Sequence, residues 1–225
     1  MTRLAPFLSG IDLKLPDRRC SLKLSIHRLA FPGILAFFAV SLGAQNLSSS
    51  EIVTALKRGG YVIVMRHASS PREVPTKATA NPDNTTPERQ LDETGRKTAI
   101  AMGKAIRDLK IPLGDVYSSP TYRALETARL EQWMNVMPVP ELGDGGQSMQ
   151  GVSESQGAWL QKQVSQSPKS GTNTVLITHM PNLSRAFPNV TGVSDGESLV
   201  FRPDGRGAAT LVGRIKIEEW PNLHP

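Results

Sequence analysis

The residues of this chain that are best suited to chemistry are an arginine–histidine pair and a second histidine, each directly after an apolar run. Arg66 and His67 follow residues 61–65, and His179 follows residues 174–178. Apolar runs of this length are typical of strands that are buried on both faces of a sheet. Ligands of open α/β sheets bind beyond the carboxyl ends of the strands, so these three side chains are predicted to share one site.

Arg123 follows a third short strand in the same way. Ser119 is a suitable helix N-cap and Pro120 a suitable first helical residue, which places Arg123 in or just after the first turn of a helix. A solvated basic pair at an ordinary strand end explains Arg66-His67 alone about equally well. The chain has only four histidines, at positions 27, 67, 179 and 224. Two of these at strand ends, together with two arginines, favour a functional site.

The sequence resembles the histidine phosphatase superfamily, which has the phosphoglycerate-mutase-like fold, and it is similar to an exported bacterial member. The motifs stand in the family's order, as Arg66-His67-Ala68, Leu91-Asp92-Glu93-Thr94-Gly95-Arg96, Ser118-Ser119-Pro120-Thr121-Tyr122-Arg123-Ala124-Leu125-Glu126-Thr127-Ala128 and Thr178-His179. The resemblance spans roughly residues 60–215. Ala68 stands where most members have glycine, and in this respect the chain resembles bacterial phosphohistidine phosphatases.

The resemblance implies phosphoryl transfer through a covalent intermediate. A neutral imidazole nitrogen of His67 is expected to attack phosphorus and form phosphohistidine, which splits one difficult displacement into two easier steps. Arg66 and Arg123 are expected to bind the phosphoryl oxygens through planar, permanently charged guanidiniums, and His179 to add a further donor. The predicted site uses no metal and no other cofactor.

The general acid is left open by the sequence. The family commonly places Asp or Glu in a Leu-x-Glu-like context after the helix of the second arginine. Asp144 in Leu142-Gly143-Asp144 fits this context best, and Glu141 is the neighbouring alternative. Asp144 is equally well explained as a turn residue of a glycine-rich loop, and phosphohistidine phosphatases can lack the acid altogether.

Residues 1–44 are predicted to be a signal peptide. An apolar stretch over residues 29–44 follows Lys23, His27 and Arg28, and this order of a basic region, an apolar region and small residues is typical of secretory leaders. The stretch has 16 residues, whereas a membrane-spanning helix needs ~20. A buried N-terminal helix is the alternative. The mature protein is therefore predicted to be periplasmic or secreted, with no stable membrane anchor after leader cleavage.

The leader also accounts for most of the basic charge. It holds six Lys/Arg and two Asp/Glu, a net charge of +4, which leaves +2 of the whole-chain +6 for residues 45–225. This small excess gives little support to nucleic-acid binding. The single cysteine, Cys20, lies in the leader, and no Cys or His cluster has zinc-ligand spacing. The predicted domain therefore has no disulfide, no thiol nucleophile and no zinc site.

Alternating strand and helix patterns over residues 45–225 predict one histidine phosphatase domain, a three-layer α/β/α sandwich with a mostly parallel central sheet. Helices are predicted after caps at Ser48 and Asp92 and over residues 120–134 and 153–166, an extended segment over 136–142, and a terminal hairpin from 198–201 and 208–217. Residues 69–90 are predicted to form a long loop over the site, from which Arg72 and Arg89 could reach a phosphate. A solvated position at the surface explains each of these two arginines at least as well.

These expectations favour an exported phosphomonoesterase that acts on a small phosphorylated substrate or a phosphoprotein. A phosphohistidine protein phosphatase and a phosphomutase are the alternatives among enzymes. A mutase must keep water away from its phosphoenzyme, and its usual sugar-phosphate substrates are cytoplasmic. A non-catalytic phosphate-binding module is disfavoured because both histidines and both arginines are present.

Overall fold

The computed structural model of the protein describes residues 46–144 and 152–224. The predicted signal peptide, residues 1–44, lies outside the described residues, and so do its cleavage site and the end of the glycine-rich turn after Asp144. None of the helices in the described ranges is both long enough and apolar enough to cross a bilayer.

The described residues form five α-helices and six strands, with two short 3-10 turns at Pro140–Leu142 and Trp220–Asn222. In chain order they are α1 (Ser49–Arg58), β1 (Val62–Arg66), α2 (Glu93–Asp108), β2 (Leu113–Ser118), α3 (Tyr122–Leu130), β3 (Val136–Pro138), α4 (Glu154–Val164), β4 (Asn173–Thr178), α5 (Met180–Ala186), β5 (Ser198–Pro203) and β6 (Ala209–Ile215). The sheet order is β3-β2-β4-β1-β5-β6. The first four strands in this order, β3, β2, β4 and β1, are parallel to one another. Strand β5 pairs antiparallel with β1, and β6 pairs antiparallel with β5. The predicted mostly parallel sheet and terminal hairpin are both confirmed.

The central strands are buried on both faces, as their apolar runs predict. Ile63 and Met65 of β1 pack in the core beneath α1, α2 and α3, whereas Val62 and Val64 pack in the core beneath α4 and α5. All four are fully buried. Successive side chains of a strand point to opposite faces, so one uninterrupted apolar strand serves two helical layers. The three-layer α/β/α sandwich is confirmed.

The start of α2 is fixed against the segment that follows β1. Asp92 caps the helix by accepting a hydrogen bond from the amide of Gly95 at 2.7 Å, and the hydroxyl of Ser69 donates to Asp92, also at 2.7 Å. A Cβ at Gly95 would lie 2.1 Å from the carbonyl oxygen of Ser69. Only glycine permits this approach, which explains its place in the Leu91–Arg96 motif.

The helix that carries Arg123 begins later than predicted. It starts at Tyr122 with Thr121 as its N-cap, not at Pro120 with Ser119 as the cap. The hydroxyl of Ser119 is engaged elsewhere, 2.7 Å from Nε2 of His179. A contact across 60 residues of sequence therefore overrides the local capping preference.

The end of α3 also differs from the prediction. The helix stops at Leu130, and Gln132 and Asn135 adopt left-handed φ angles of 59° and 55°. The extended segment predicted over 136–142 is a strand only as far as Pro138, after which Pro140 opens a 3-10 turn. Prolines cannot donate to a sheet ladder, so this edge strand is short.

Glu131, at the end of α3, is an unusual buried carboxyl group. Its side chain is fully buried, and neither carboxyl oxygen has a hydrogen-bond partner among the described residues. Burial raises the pKa of Glu131 well above its usual value of 4.5. Burial therefore favours the protonated, neutral form of this carboxyl group.

The long loop over residues 69–90 has no helix or strand, as predicted. It is fastened to the outer side of α3. Asp83 accepts hydrogen bonds from the hydroxyl of Tyr122 and the guanidinium of Arg129, both at 2.6 Å. The side-chain amide of Asn81 donates to Glu126 at 2.9 Å. These contacts make the loop a fixed wall beside the helix that carries Arg123.

Candidate active site

The sheet topology brings the predicted site residues to one edge. Arg66, the last residue of β1, lies opposite Thr178, the last residue of β4. The backbone amide of His67 donates to the carbonyl of Thr178 at 3.0 Å, which places His67 and His179 on adjacent strands at the same level. Their ring centroids are 5.1 Å apart. The structure therefore unites the two strand-end histidines, although their catalytic roles stay predictions.

His67 is neutral and carries its proton on Nδ1, which leaves Nε2 unprotonated. Nδ1 lies 2.7 Å from the carbonyl oxygen of Ala68, which can only accept, so Nδ1 carries the proton. Nε2 keeps its lone pair and accepts from Nε of Arg123 at 3.2 Å. Burial, followed by the charges of Arg123 and Arg66, lowers the pKa of His67 to about 3. The imidazole is thus neutral across the physiological range.

Arg123 is the hub of the site. Its side chain is 1% exposed, and its Nη2 atom contacts Nδ1 of His179 at 3.1 Å and Oδ2 of Asp144 at 2.5 Å. The hydroxyl of Thr127 donates to the backbone carbonyl of Arg123 at 2.8 Å, which fixes the backbone at Arg123. A buried guanidinium that reaches both histidines is suited to bind phosphoryl oxygens between them.

His179 is held on its far side by a hydroxyl. Nδ1 faces the guanidinium of Arg123, which can only donate, so Nδ1 accepts and Nε2–H donates to Oγ of Ser119 at 2.7 Å. Burial, followed by the proximity of His67 and Arg123, lowers the pKa of His179 well below its usual value of 6.5. Both histidines of the site are therefore neutral in the free protein.

Arg66 is paired with a residue that the sequence did not single out. Its Nη2 atom lies 2.6 Å from Oδ1 of Asp195, and its Nη1 atom donates to the carbonyl of Val193 at 3.0 Å. Asp195 lies just before β5, which pairs with β1 in antiparallel fashion. In an antiparallel pair the start of one strand lies beside the end of the other. Asp195 could be placed beside Arg66 only once the pairing of β5 with β1 was known.

Of the two loop arginines left open by the sequence, only Arg89 lies near the site. It donates to the carbonyl oxygens of Pro71 and Ser70 at 2.7 and 3.0 Å. Burial, followed by the neighbouring charge of Arg123, lowers the pKa of Arg89. Arg72 is exposed, as the solvated-surface explanation predicts.

Asp144 is brought into the site by a well-anchored segment. The side-chain amide of Asn182 donates to the carbonyl of Gly143 at 3.0 Å, and the hydroxyl of Thr178 donates to the carbonyl of Leu142 at 2.8 Å. Asp144 then meets Arg123, while its Oδ1 atom is buried without a hydrogen-bond partner among the described residues. Glu141 takes part in this arrangement through its backbone carbonyl, which accepts from Asn182 at 3.1 Å. The geometry therefore favours Asp144 over Glu141 as the carboxyl group of the site.

This arrangement of side chains is suited to hold an oxyanion beside an unprotonated imidazole nitrogen. Three guanidiniums and a neutral imidazole with an unprotonated nitrogen lie near a carboxyl group. Among the described residues no group of three or more His, Cys, Asp or Glu side chains is arranged to hold a metal ion. Such a set of donors matches a phosphoryl group, whose oxygens accept hydrogen bonds from arginine.

Comparison with known proteins agrees with this assignment. Residues 62–142 match the family model of the histidine phosphatase superfamily (branch 1), and this segment contains Arg66, His67, Arg123 and the Leu91–Arg96 motif. The predicted resemblance to the histidine phosphatase superfamily is confirmed over this segment. The comparison with curated proteins returned no match.

Solved structures are similar to the chain at low sequence identity. The protein histidine phosphatase SixA in complex with tungstate is 17% identical, with a TM-score of 0.52 over 71% of this chain and 98% of SixA. YhfR of Bacillus stearothermophilus is 16% identical, with a TM-score of 0.48 over 68% of this chain and 95% of YhfR. A phosphoserine phosphatase of Entamoeba histolytica is 13% identical, with a TM-score of 0.47 over 70% and 98% of the two chains. The family and the site together support a phosphatase.

Proposed function

We propose that the protein is an exported, metal-independent phosphomonoesterase that works through a phosphohistidine intermediate on His67. The observation that carries this proposal is the buried, neutral His67, whose Nε2 lone pair lies 3.2 Å from a guanidinium nitrogen of Arg123. A nucleophile beside a permanent cation is suited to attack a phosphoryl group that the cation binds.

In the first step Nε2 of His67 attacks phosphorus, and the bond from phosphorus to the leaving oxygen breaks. Arg66 and Arg123 bind the negative charge on the phosphoryl oxygens, and Asp144 in its acid form gives its proton to the leaving group. In the second step water attacks phosphorus, and the carboxylate of Asp144 takes the proton of that water. The phosphorus–nitrogen bond breaks, which returns the lone pair to His67 and releases inorganic phosphate.

A phosphohistidine protein phosphatase is the second candidate, and two observations favour it. Ala68 follows the proposed nucleophile, and Oδ2 of Asp144 is occupied by the guanidinium of Arg123 at 2.5 Å instead of facing a leaving group. The imidazole leaving group of phosphohistidine depends far less on a proton donor than an alkoxide does. The two candidates therefore differ in whether Asp144 donates a proton.

Asp144→Asn is expected to separate these candidates by leaving group. If Asp144 is the acid, hydrolysis of an alkyl phosphate should slow by roughly 10²–10⁴-fold, because an alkoxide leaves poorly without a proton. Hydrolysis of nitrophenyl phosphate should slow only mildly. The measurement is kcat/KM for both esters and for a phosphohistidine protein, with Glu141→Gln as the matched carboxyl control. Equal small effects on both esters would remove Asp144 from the mechanism, and poor wild-type activity on every alkyl ester would favour the phosphohistidine enzyme.

Export is supported by the basic and apolar pattern of residues 1–44. Expression of the full chain in a bacterial host should yield a processed protein in the periplasm or the medium, with an N-terminus near Ala44 or Gln45. N-terminal sequencing of fractionated cells measures this directly. An intact leader on cytoplasmic protein would refute export and strengthen the case for a phosphohistidine regulator.

A further inference from the structure

The ion pair between Arg66 and Asp195 has no role in the proposed reaction steps. Asp195 Oδ1 lies 2.6 Å from Arg66 Nη2, and the two side chains are 26% and 34% exposed, Arg66 being the less exposed. The carboxylate therefore lies at the rim of the pocket. Its Oδ1 atom has no hydrogen-bond partner among the described residues, so the contact with Arg66 is an ion pair by distance. The carboxylate nevertheless occupies the side of a guanidinium nitrogen that a phosphoryl oxygen would contact.

The segment that carries Asp195 is fixed by the protein. The amide of Gly196 donates to the carbonyl of His67 at 2.9 Å. The buried carboxylate of Glu197 accepts from Nε of Arg214 at 2.6 Å and from the amide of Ser194 at 2.8 Å. These contacts fix the backbone on both sides of Asp195 beside His67.

The carboxylates also limit the positive charge that a phosphate meets. Arg123 is paired with Asp144, and Arg66 with Asp195, while Arg89 is bound to backbone carbonyls. Both site histidines are neutral. A phosphate dianion that enters must therefore displace or approach two carboxylates, and like charges at this range repel strongly in a partly desolvated pocket.

We propose that Asp195 is an internal competitor for the phosphoryl group at Arg66, which weakens the binding of inorganic phosphate and so promotes its release. The proposal rests on the proposed function, since it assigns Asp195 a role in product release and affinity at that same site. When phosphate leaves, the neighbouring carboxylate of Asp195 takes its position on Arg66. The charge of Arg66 is therefore paired both before and after release.

A purely structural role of Asp195 predicts the opposite sign. If the carboxylate only orients Arg66, its removal should loosen the guanidinium, weaken phosphate binding and raise KM. If it competes with phosphate, removal of its charge should tighten phosphate binding and lower KM. The direction of the change in affinity therefore distinguishes competition from orientation.

The test uses Asp195→Asn, which keeps a side-chain oxygen beside Arg66 without the negative charge, and Asp195→Ala, which keeps neither. The measurements are the inhibition constant of inorganic phosphate against nitrophenyl phosphate hydrolysis, and the dissociation constants of phosphate and tungstate by calorimetry. We expect Asp195→Asn to bind phosphate roughly 5- to 50-fold more tightly than wild type, with a lower KM and no rise in kcat. Asp115→Asn is the matched control, because Asp115 forms a partly exposed ion pair with Lys169 at the start of β2; its constants should equal those of wild type.

Unchanged or weaker phosphate binding by both Asp195 variants, with normal thermal unfolding, would overturn the inference. This outcome leaves the proposed function intact if the wild-type protein still hydrolyses phosphomonoesters. Conversely, a wild-type protein that binds phosphate but hydrolyses no phosphomonoester or phosphohistidine refutes the proposed function. In that case the calorimetric comparison alone decides whether Asp195 competes at Arg66.

Discussion

His67→Ala is expected to lower turnover by about 10⁴-fold or more, because it removes the proposed nucleophile on which both proposed steps depend. Wild-type protein that is quenched with alkali during turnover of a labelled substrate should carry acid-labile phosphate on His67. The lowered pKa of His67, about 3, adds a condition on this result. The ring should remain in its neutral, Nδ1-protonated tautomer between pH 5 and 8, which histidine ring NMR of the free protein can measure.

His224→Ala is the matched control for this experiment, since His224 is exposed near the end of the chain and outside the site. It should retain wild-type turnover and labelling. Wild-type activity should also survive EDTA. Substantial turnover by His67→Ala, or complete loss of wild-type activity with the chelator, would contradict the covalent, metal-independent mechanism.

Arg123→Ala should cost roughly 10²–10⁴-fold in kcat/KM, since it removes charge-assisted bonds at the centre of the phosphate site. Inhibition by phosphate, vanadate and tungstate should weaken in parallel. The substitution also leaves Asp144 without its partner, so Arg123→Lys is needed as a second variant that keeps the charge but loses the planar fork. Arg58→Ala, at the exposed end of α1, is the control.

Intermediate activity of Arg123→Lys would indicate that charge and geometry each contribute. If Arg123→Ala folds normally and keeps both turnover and oxyanion affinity, Arg123 is not a phosphate ligand. Loss of activity without loss of oxyanion binding would instead place its role in orienting His67 and His179.

The strand-end residues could be predicted because their positions follow from local sequence and one topological rule. An apolar run identifies a buried strand, and parallel strands present their carboxyl ends at the same edge of the sheet. Arg66, His67 and His179 needed nothing further to be assigned to one site. Arg123 needed only the following helix, whose first turn faces the same edge.

The parts that could not be predicted depend on contacts between distant segments. Ser119 has the side chain of an N-cap, but His179 recruits its hydroxyl, and so the helix starts at Tyr122. Asp195 lies in a short polar segment like many others, and only the pairing of β5 with β1 sets it beside Arg66. The anchoring of Asp144 likewise depends on Asn182, 39 residues from Gly143.

The buried carboxyl group of Glu131 and the two site histidines change their proton binding in opposite directions when the protein unfolds. Unfolded Glu131 titrates near 4.5 while its folded pKa is raised, so the folded state holds an extra proton and stability falls as pH rises above 4.5. The folded pKa values of His67 and His179 are lowered from 6.5, so the unfolded state holds the extra protons and stability falls as pH drops below 6.5. Between these values the two linkages have opposite slopes, and Glu131 partly offsets the acid sensitivity that two buried, uncharged histidines impose on the fold.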